Sequence, residues 1–397
     1  MRRHLTYLTL ISILIACRSV AVSQETSGET NDDATVPGWR EEFMRLYEPP
    51  RDYGHDWRLG TLFGLTPEDG LLLGAGPILY EFGFRKFPYA FRMQLVGGIA
   101  IATGRVKLVY TLGMPQLSRT LSLDLYTHFS QLEVRNFYGL GNNAPRDPVQ
   151  EESDFYRVPS QEFWLQPTLY HSLFGRSTVG LGLWFKHFRV RGTERRKYQD
   201  EGLDTLDDNR ANTGIGLQFR IDTRGHGTFP ASGVYLYLSA FNHFYLFTEK
   251  EPFQKVTGDI RFHLGGRLLT DVELALRAGG EKIFGFPPVY EAASLGGGQS
   301  LRGYYSQRFT GDASLFGSVE VRLSLGRYYI IIPTDIGLIL LADAGRVWWK
   351  GESEGNWHTN AGLGLWFAPL SREFLFSAVA AQSVEGLFVN AGLGFSF

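Results

Sequence analysis

One cysteine, few charges and no long apolar run narrow the possibilities before any motif is read. The single cysteine, Cys17, excludes a disulfide scaffold and a Cys-ligated zinc site. Charged residues make up only 20% of the 397 positions, and Lys+Arg (39) against Asp+Glu (41) leaves a formal charge of −2. A nucleic-acid binder carries a clear positive excess, so no nucleic-acid partner is expected. A mean hydropathy of −0.13 excludes a bundle of membrane-spanning helices. No GxxxxGK[ST] phosphate loop occurs. Gly298-Gln299-Ser300-Leu301-Arg302 begins like a nucleophile elbow, but Arg302 stands where glycine is needed. The histidines, among them His128, His263 and His358, are scattered as polar wall residues rather than grouped as metal ligands. No catalytic residue, metal or cofactor is expected, and the chain is not read as an enzyme.

What is abundant is glycine, 47 residues, or about 12% against roughly 7% in an average protein. Aromatics reach 14%. High glycine, many aromatics and few charges favour one large barrel over two soluble domains.

The first residues read as an address. Arg2 and Arg3 precede an apolar stretch from Leu5 to Ala16, too short to span a bilayer as a helix, and Ala21-Val22-Ser23 offers a cleavage site before Gln24. Leu14-Ile15-Ala16-Cys17 is a competing lipobox, which would leave Cys17 lipidated. Residues 1–23 are therefore expected to be a signal peptide, and 24–56 a periplasmic linker. Within it, Trp39, Phe43, Leu46 and Tyr47 fall on one face of a short amphipathic helix over 38–48 that Pro49-Pro50 ends.

From Trp57 onward the period is two. Leu121, Leu123, Leu125, Thr127 and Phe129 alternate with Ser122, Asp124, Tyr126, His128 and Ser130, and Ile215, Leu217 and Phe219 alternate with Gly214, Gly216, Gln218 and Arg220. Turn signals divide the chain into strands near 57–66, 71–82, 91–102, 105–114, 120–130, 154–173, 178–190 and 212–222. Eight more fall near 233–247, 254–268, 272–281, 314–325, 335–349, 357–367, 374–382 and 387–397. The expected fold is all-β: a 16-stranded antiparallel transmembrane β-barrel over 57–397, apolar towards lipid and polar towards its lumen. With both ends periplasmic, the long segments 131–153, 191–211 and 283–313 fall outside the cell. The 191–211 loop carries Arg195, Arg196 and Lys197, a candidate contact with lipopolysaccharide phosphates beside a plain solvated loop.

Asn390 to Phe397 reads Asn-Ala-Gly-Leu-Gly-Phe-Ser-Phe. Alternation sends Leu387, Val389, Leu393, Phe395 and Phe397 to lipid, and Asn390, Gly392, Gly394 and Ser396 to the lumen. The pattern is similar to the terminal β-signal that outer-membrane barrels present to the barrel assembly machinery, an edge strand with an aromatic face.

Gly296-Gly297-Gly298-Gln299-Ser300-Leu301-Arg302-Gly303-Tyr304-Tyr305 resembles the hallmark of the BamA/TamA-type outer-membrane barrel superfamily, the bacterial surface antigen domain. In that family an Arg-Gly-aromatic motif sits on the long loop between the eleventh and twelfth strands, where the strand count puts it here. Asn136-Phe137-Tyr138-Gly139-Leu140-Gly141-Asn142, Asp222-Thr223-Arg224 with Pro230 and Gly233, and Asp343-Ala344-Gly345-Arg346-Val347-Trp348 look like the same family. The resemblance implies that Arg302 enters the lumen and pairs with Glu320 and Asp343, that Gly303 turns the backbone tightly, and that Tyr304 packs on the wall. It also implies a role in outer-membrane biogenesis, moving a client protein or lipid through a lateral seam that Gly392 and Gly394 weaken, amid outer-membrane lipids and lipopolysaccharide. A passive or occluded barrel is the alternative. Fewer than 35 residues separate Gln24 from Trp57, so a variant lacking POTRA modules is expected. Gly83-Phe84-Arg85-Lys86 and Pro88-Tyr89 are closest to barrels that follow a secreted metallophosphoesterase, yet no Asp-x-His metal motif occurs.

Overall fold

The computed structural model describes residues 52–66, 70–86, 88–174, 176–191, 197, 210–224, 229, 231–246, 251–285, 287–329, 332–352, 354–372 and 375–397. The expected leader with Cys17, the 24–51 stretch with its 38–48 helix, Pro230 and most of the 191–211 loop lie outside them.

Sixteen strands follow one another in chain order in one antiparallel sheet. The first compact unit ends at Leu132. It contains β1 (His55–Thr66), β2 (Gly70–Glu81), β3 (Phe91–Ala100), β4 (Val106–Met114) and most of β5 (Leu121–Asn136). The second unit begins at Glu133 and opens with a short helix, α1 (Pro148–Glu152), before β6 (Arg157–Ser172), β7 (Ser177–Val190), β8 (Arg210–Asp222) and β9 (Gly233–Leu246). It continues through β10 (Phe253–Arg267), β11 (Asp271–Phe284), the two-stranded ribbon of β12 (Ala293–Leu295) and β13 (Phe309–Gly311), β14 (Ala313–Tyr329) and β15 (Pro333–Trp348). The last three strands are β16 (His358–Pro369), β17 (Phe376–Ser383) and β18 (Gly386–Leu393).

Each of the sixteen sheet strands overlaps one of the spans expected from alternation. Two ends differ. Residues 148–156 form α1 and a turn, so β6 starts at Arg157. Pro148 at the helix start and Asp147, whose side chain accepts from the Val149 N–H, make the local sequence a better helix start than strand. The final strand stops at Leu393; Gly394 has φ +78°, which turns the chain out of the ladder.

The two faces of the second unit invert the usual order of a soluble protein. Leu181, Leu183, Ile215, Leu217, Leu363 and Leu365 are exposed on one face. The opposite, inner face buries Lys186, Asn212, Gln218, Glu273, Glu320 and Asp343. Exposed leucine rows with buried carboxylates suit a sheet whose outer solvent is hydrocarbon. Among the described residues no helix is long and apolar enough to cross a membrane; strands do the crossing.

Candidate functional site: the loop 285–312 and the last strand

The loop between β11 and β14 folds back over the inner face as a braced finger. The β12–β13 ribbon closes its stem. Gly296 and Gly297 adopt φ +124° and +78°, and a Cβ on Gly296 would stand 2.1 Å from the Tyr305 carbonyl oxygen, so the doubled-back tip needs glycine there. Leu295, Leu301, Tyr304, Phe309 and Val347 form a buried apolar cluster beneath it.

That finger delivers Arg302 to two acids. Its Nε donates to Asp343 Oδ2 at 2.9 Å, its Nη2 to Asp343 Oδ1 at 2.5 Å and its Nη1 to Glu320. All three residues are almost fully buried, at 2%, 3% and 1% exposure for Arg302, Asp343 and Glu320. Register explains the meeting: Glu320 and Ser318 alternate inward on β14, and Ser318 lies opposite Asp343 on β15. The acids are shared further. Asn360 Nδ2 donates to Asp343 at 2.8 Å, and Arg322 bonds both Glu320, at 2.7 Å, and Glu273, at 2.6 Å. His263 Nδ1 lies 3.0 Å from Glu273, which also accepts from the Ala231 N–H at 2.6 Å. Desolvating these charges is costly, and the arrangement persists because nearly every lone pair is met by a donor and Arg302's planar fork engages two carboxylates.

The chain does turn at Gly303, where the Tyr304 N–H bonds the Leu301 carbonyl at 3.1 Å, but without a positive φ, so the turn itself does not demand glycine. What requires it is proximity: an added Cβ would lie 2.6 Å from Asn360 Cβ and 3.0 Å from Ser383 Cβ. Tyr304 does lie on the wall, with its hydroxyl donating to the Thr359 carbonyl at 3.2 Å and its ring 5.7 Å from that of His358.

The loop tip also reaches the last hairpin. Asn390 Nδ2 donates to the Arg302 carbonyl at 2.9 Å, Ser383 Oγ to the Gly303 carbonyl at 2.6 Å, and Arg308 Nε to Glu385 at 2.7 Å. Gly392 and Gly394 have open space where a Cβ would be. Leu387, Val389 and Leu393 are exposed on the outer face. Phe395 and Phe397 are not: this corrects the alternation. Beyond Gly394 the chain bends inward, putting Phe395 against Phe229 and Trp366 and laying Arg322 over the Phe395 ring at 4.1 Å. Arg322 Nη2 donates to the Phe397 main-chain oxygen at 2.8 Å. The Gly394 N–H bonds the Leu375 carbonyl at 2.7 Å, and its own carbonyl accepts from Ser377 Oγ at 2.6 Å, fixing the bend. A cavity of about 390 Å³ lies between Gly298-Gln299 and the inner side of β18.

Two further anchors escaped the sequence reading. Glu291, in the 3-10 turn Val289–Glu291, receives Lys186 at 3.1 Å and Lys255 at 3.8 Å. Although burial alone would raise it, these lysines hold the Glu291 carboxyl below its ordinary value, at about 2. The Asn142 side chain bonds two distant segments, β15 and the loop before β16. Its amide donates to the Glu354 and Asn356 carbonyls at 3.0 Å each and accepts from the Val347 N–H at 3.1 Å. The only sequence signal for Asn142 was its place at the end of the Asn136–Asn142 motif. Glu291 had none, because its lysines lie on distant strands.

The model of the Omp85 superfamily domain matches residues 101–377. The chain belongs to the Omp85 superfamily. No curated protein matches it. Among solved structures, BamA from Haemophilus ducreyi lacking POTRA domains 1–3 is similar with a TM-score of 0.59 at 15% identity, covering 86% of this chain and 70% of that one. CdiB from Acinetobacter baumannii is similar with a TM-score of 0.51 at 12% identity, covering 92% of this chain and 69% of that one. At these identities the likeness shows the fold, a 16-stranded antiparallel β-barrel of the BamA/TamA type. As a member of this superfamily of outer-membrane barrels, the chain is not an enzyme.

Proposed function

We propose that this Omp85 chain is an integral outer-membrane barrel acting in membrane biogenesis or translocation, moving a client polypeptide or lipid through a lateral seam bordered by its last strand. The observation that carries the reading is the contrast in how the loop is held. Arg302 is moored to β14 and β15 by buried charges, whereas β18 meets the loop without an ion pair, through the Asn390 amide on the Arg302 carbonyl and the Phe388 ring edge-on to Tyr305 at 4.8 Å. A short strand of eight residues that holds Gly392 and ends just before Gly394, both with open space where a Cβ would be, is the easiest border to part or to extend with a client strand. Arg302, Gly303, Tyr304, Glu320 and Asp343 then act as the fixed side of the device. Surrounding lipids, lipopolysaccharide and the machinery that inserts the barrel are its proposed partners. A disulfide tether between the first and last strands tests the seam: a tethered protein that fully complements a deletion strain overturns it. The inward tail and loop favour a second reading, an occluded passive barrel, which single-channel recording tests through the conductance of Arg302→Ala.

A further inference from the structure

The inner face carries an arrangement that the loop engages through Arg277, whose Nη1 donates to the Gln299 carbonyl at 2.9 Å, and that extends well beyond it. Register aligns Tyr235 with Arg261, Arg261 with Arg277, Arg277 with Ser318, and Ser318 with Asp343. One cross-strand row thus runs from β9 to the carboxylate that Arg302 holds. Along it, guanidinia lie against aromatic rings: Arg224 and Arg261 are 4.6 and 5.0 Å from the Tyr235 ring, and Arg277 is 5.0 Å from that of Phe316. On the neighbouring strands Arg220 lies 5.3 Å from the Tyr170 ring. Gly180 makes room for this, since a Cβ there would meet the Tyr170 ring at 2.7 Å, and the phenol reaches across β7 to Gln218 at 3.1 Å. A guanidinium stacked on a ring keeps its N–H edge available to carboxylates or peptide carbonyls.

The row is also unbalanced in charge. Asp259 accepts from both Arg261 and Arg277, and Asp222 accepts from Arg224. Arg220 lies over the Tyr170 ring, with Asp222 and Tyr237 also within its field. Four arginines therefore face two aspartates, on a surface that is partly exposed, unlike the buried Arg302 cluster. At the far end of the row sits a peptide. The Phe397 ring lies 5.8 Å from Arg277 and 5.3 Å from Arg322, and Arg322 takes the Phe397 main-chain oxygen. The chain's own tail displays what these arginines accept: aromatic faces and backbone oxygens.

We propose that the row from Tyr170 to Arg277 is a docking track for a client polypeptide segment bearing aromatic and acidic side chains, and that the Phe395–Phe397 tail fills the last place on that track. The proposal rests on the reading that the transported client is a polypeptide. It identifies where that client is held and by which chemistry.

The experiment uses full-length protein in detergent and a fluorescent peptide with the sequence of Asn390–Phe397 extended by two glutamates, read by anisotropy. The double variant Phe395→Ala/Phe397→Ala, whose own tail no longer competes, is expected to bind about tenfold more tightly than the unaltered chain. Adding Arg220→Gln and Arg261→Gln is expected to reverse that gain, and affinity is expected to fall as salt rises. Should the tail variants fail to fold, photo-cross-linking from p-benzoylphenylalanine in place of Tyr235, in the otherwise unchanged chain, gives the same answer. A peptide adduct supports the track, and its absence overturns it. Binding indifferent to the arginine changes, or displaced by lipid A micelles and not by unlabelled peptide, also overturns it. Detergent-phase binding needs no open seam, so a harmless strand tether with intact peptide binding defeats only the transport reading. A disabling tether without peptide binding defeats only the track.

Discussion

The β14–β15 wall and the β17–β18 hairpin are touched by the same loop, yet they are built differently. The wall strands are 17 and 16 residues long and bury Glu320, Arg322 and Asp343. The hairpin strands have eight residues each and meet the loop tip through Asn390, Ser383 and Glu385. Removing one member of a buried ion pair costs about 3–5 kcal/mol, whereas a neutral hydrogen bond contributes about 0.5–1.5 kcal/mol. The Asn390 and Ser383 contacts are of the second kind; Arg308–Glu385 is a single, partly exposed ion pair, and Tyr305 adds a ring contact with Phe388. With one ion pair against a buried network, the loop is expected to part from the hairpin before it parts from the wall.

The largest effect is expected where the wall is attacked. Arg302→Ala leaves Asp343 without a cation and Glu320 with Arg322 alone and should destabilise the barrel by about 3–5 kcal/mol. The readouts are loss of heat-resistant migration on gels and faster protease cleavage in the loop; unchanged resistance would remove the wall's claim to be the mooring. Arg302→Lys keeps the charge without the fork and should fall between the two.

Gly303→Ala sharpens the contrast from the loop side. The new methyl must displace Asn360 or Ser383, an overpacking cost of about 1–3 kcal/mol. Because Ser383 belongs to the hairpin and Asn360 to the wall side, cross-linking yields between loop and hairpin should drop more than the unfolding temperature does.

Acid tests the third mooring. The Glu291 carboxyl ordinarily titrates near 4.5 and is held at about 2 in the folded chain by Lys186 and Lys255. With its folded value depressed, its contribution is complete above about pH 4.5 and is lost as pH falls towards 2. Thermal unfolding followed across that window should lose part of its pH dependence in Glu291→Gln. A variant with an unchanged profile would show that other carboxylates govern the acid limb.

The smallest effect is expected at the hairpin. Asn390→Ala and Ser383→Ala each remove one hydrogen bond to the loop and should cost about 0.5–1.5 kcal/mol each. Amide exchange in β18 should quicken while exchange in β14 stays as it was. Equal acceleration in both strands would erase the distinction drawn above.

Much of this could be read in the residues, and the misses have physical causes. Strands such as β8 were legible because Ile215 and Leu217 must face hydrocarbon while Gly214, Gly216 and Gln218 face inward, a constraint that writes itself into every second position. The meeting of Arg302 with Glu320 and Asp343 was legible because a motif supplied the arginine and alternation supplied the inward acids. The direction of Phe395 and Phe397 was not, because alternation extends a strand indefinitely. Only the left-handed Gly394 tells that the ladder has ended. Glu291 stayed hidden because one of its lysines lies 105 positions away, and no local pattern encodes a pairing over that span.

Asn142 carries a consequence for how the chain is put together. Its amide is satisfied only by groups more than 200 positions downstream: the Val347 N–H and the carbonyls of Glu354 and Asn356. The segment 137–156 closes on itself through Phe137, Tyr138 and Tyr156, but until those distant partners exist it is not fastened to the barrel at Asn142, so its full protection is expected late in biogenesis. Pulse proteolysis of chains caught during insertion should find that segment cleavable until the β15–β16 hairpin has formed, and resistant afterwards.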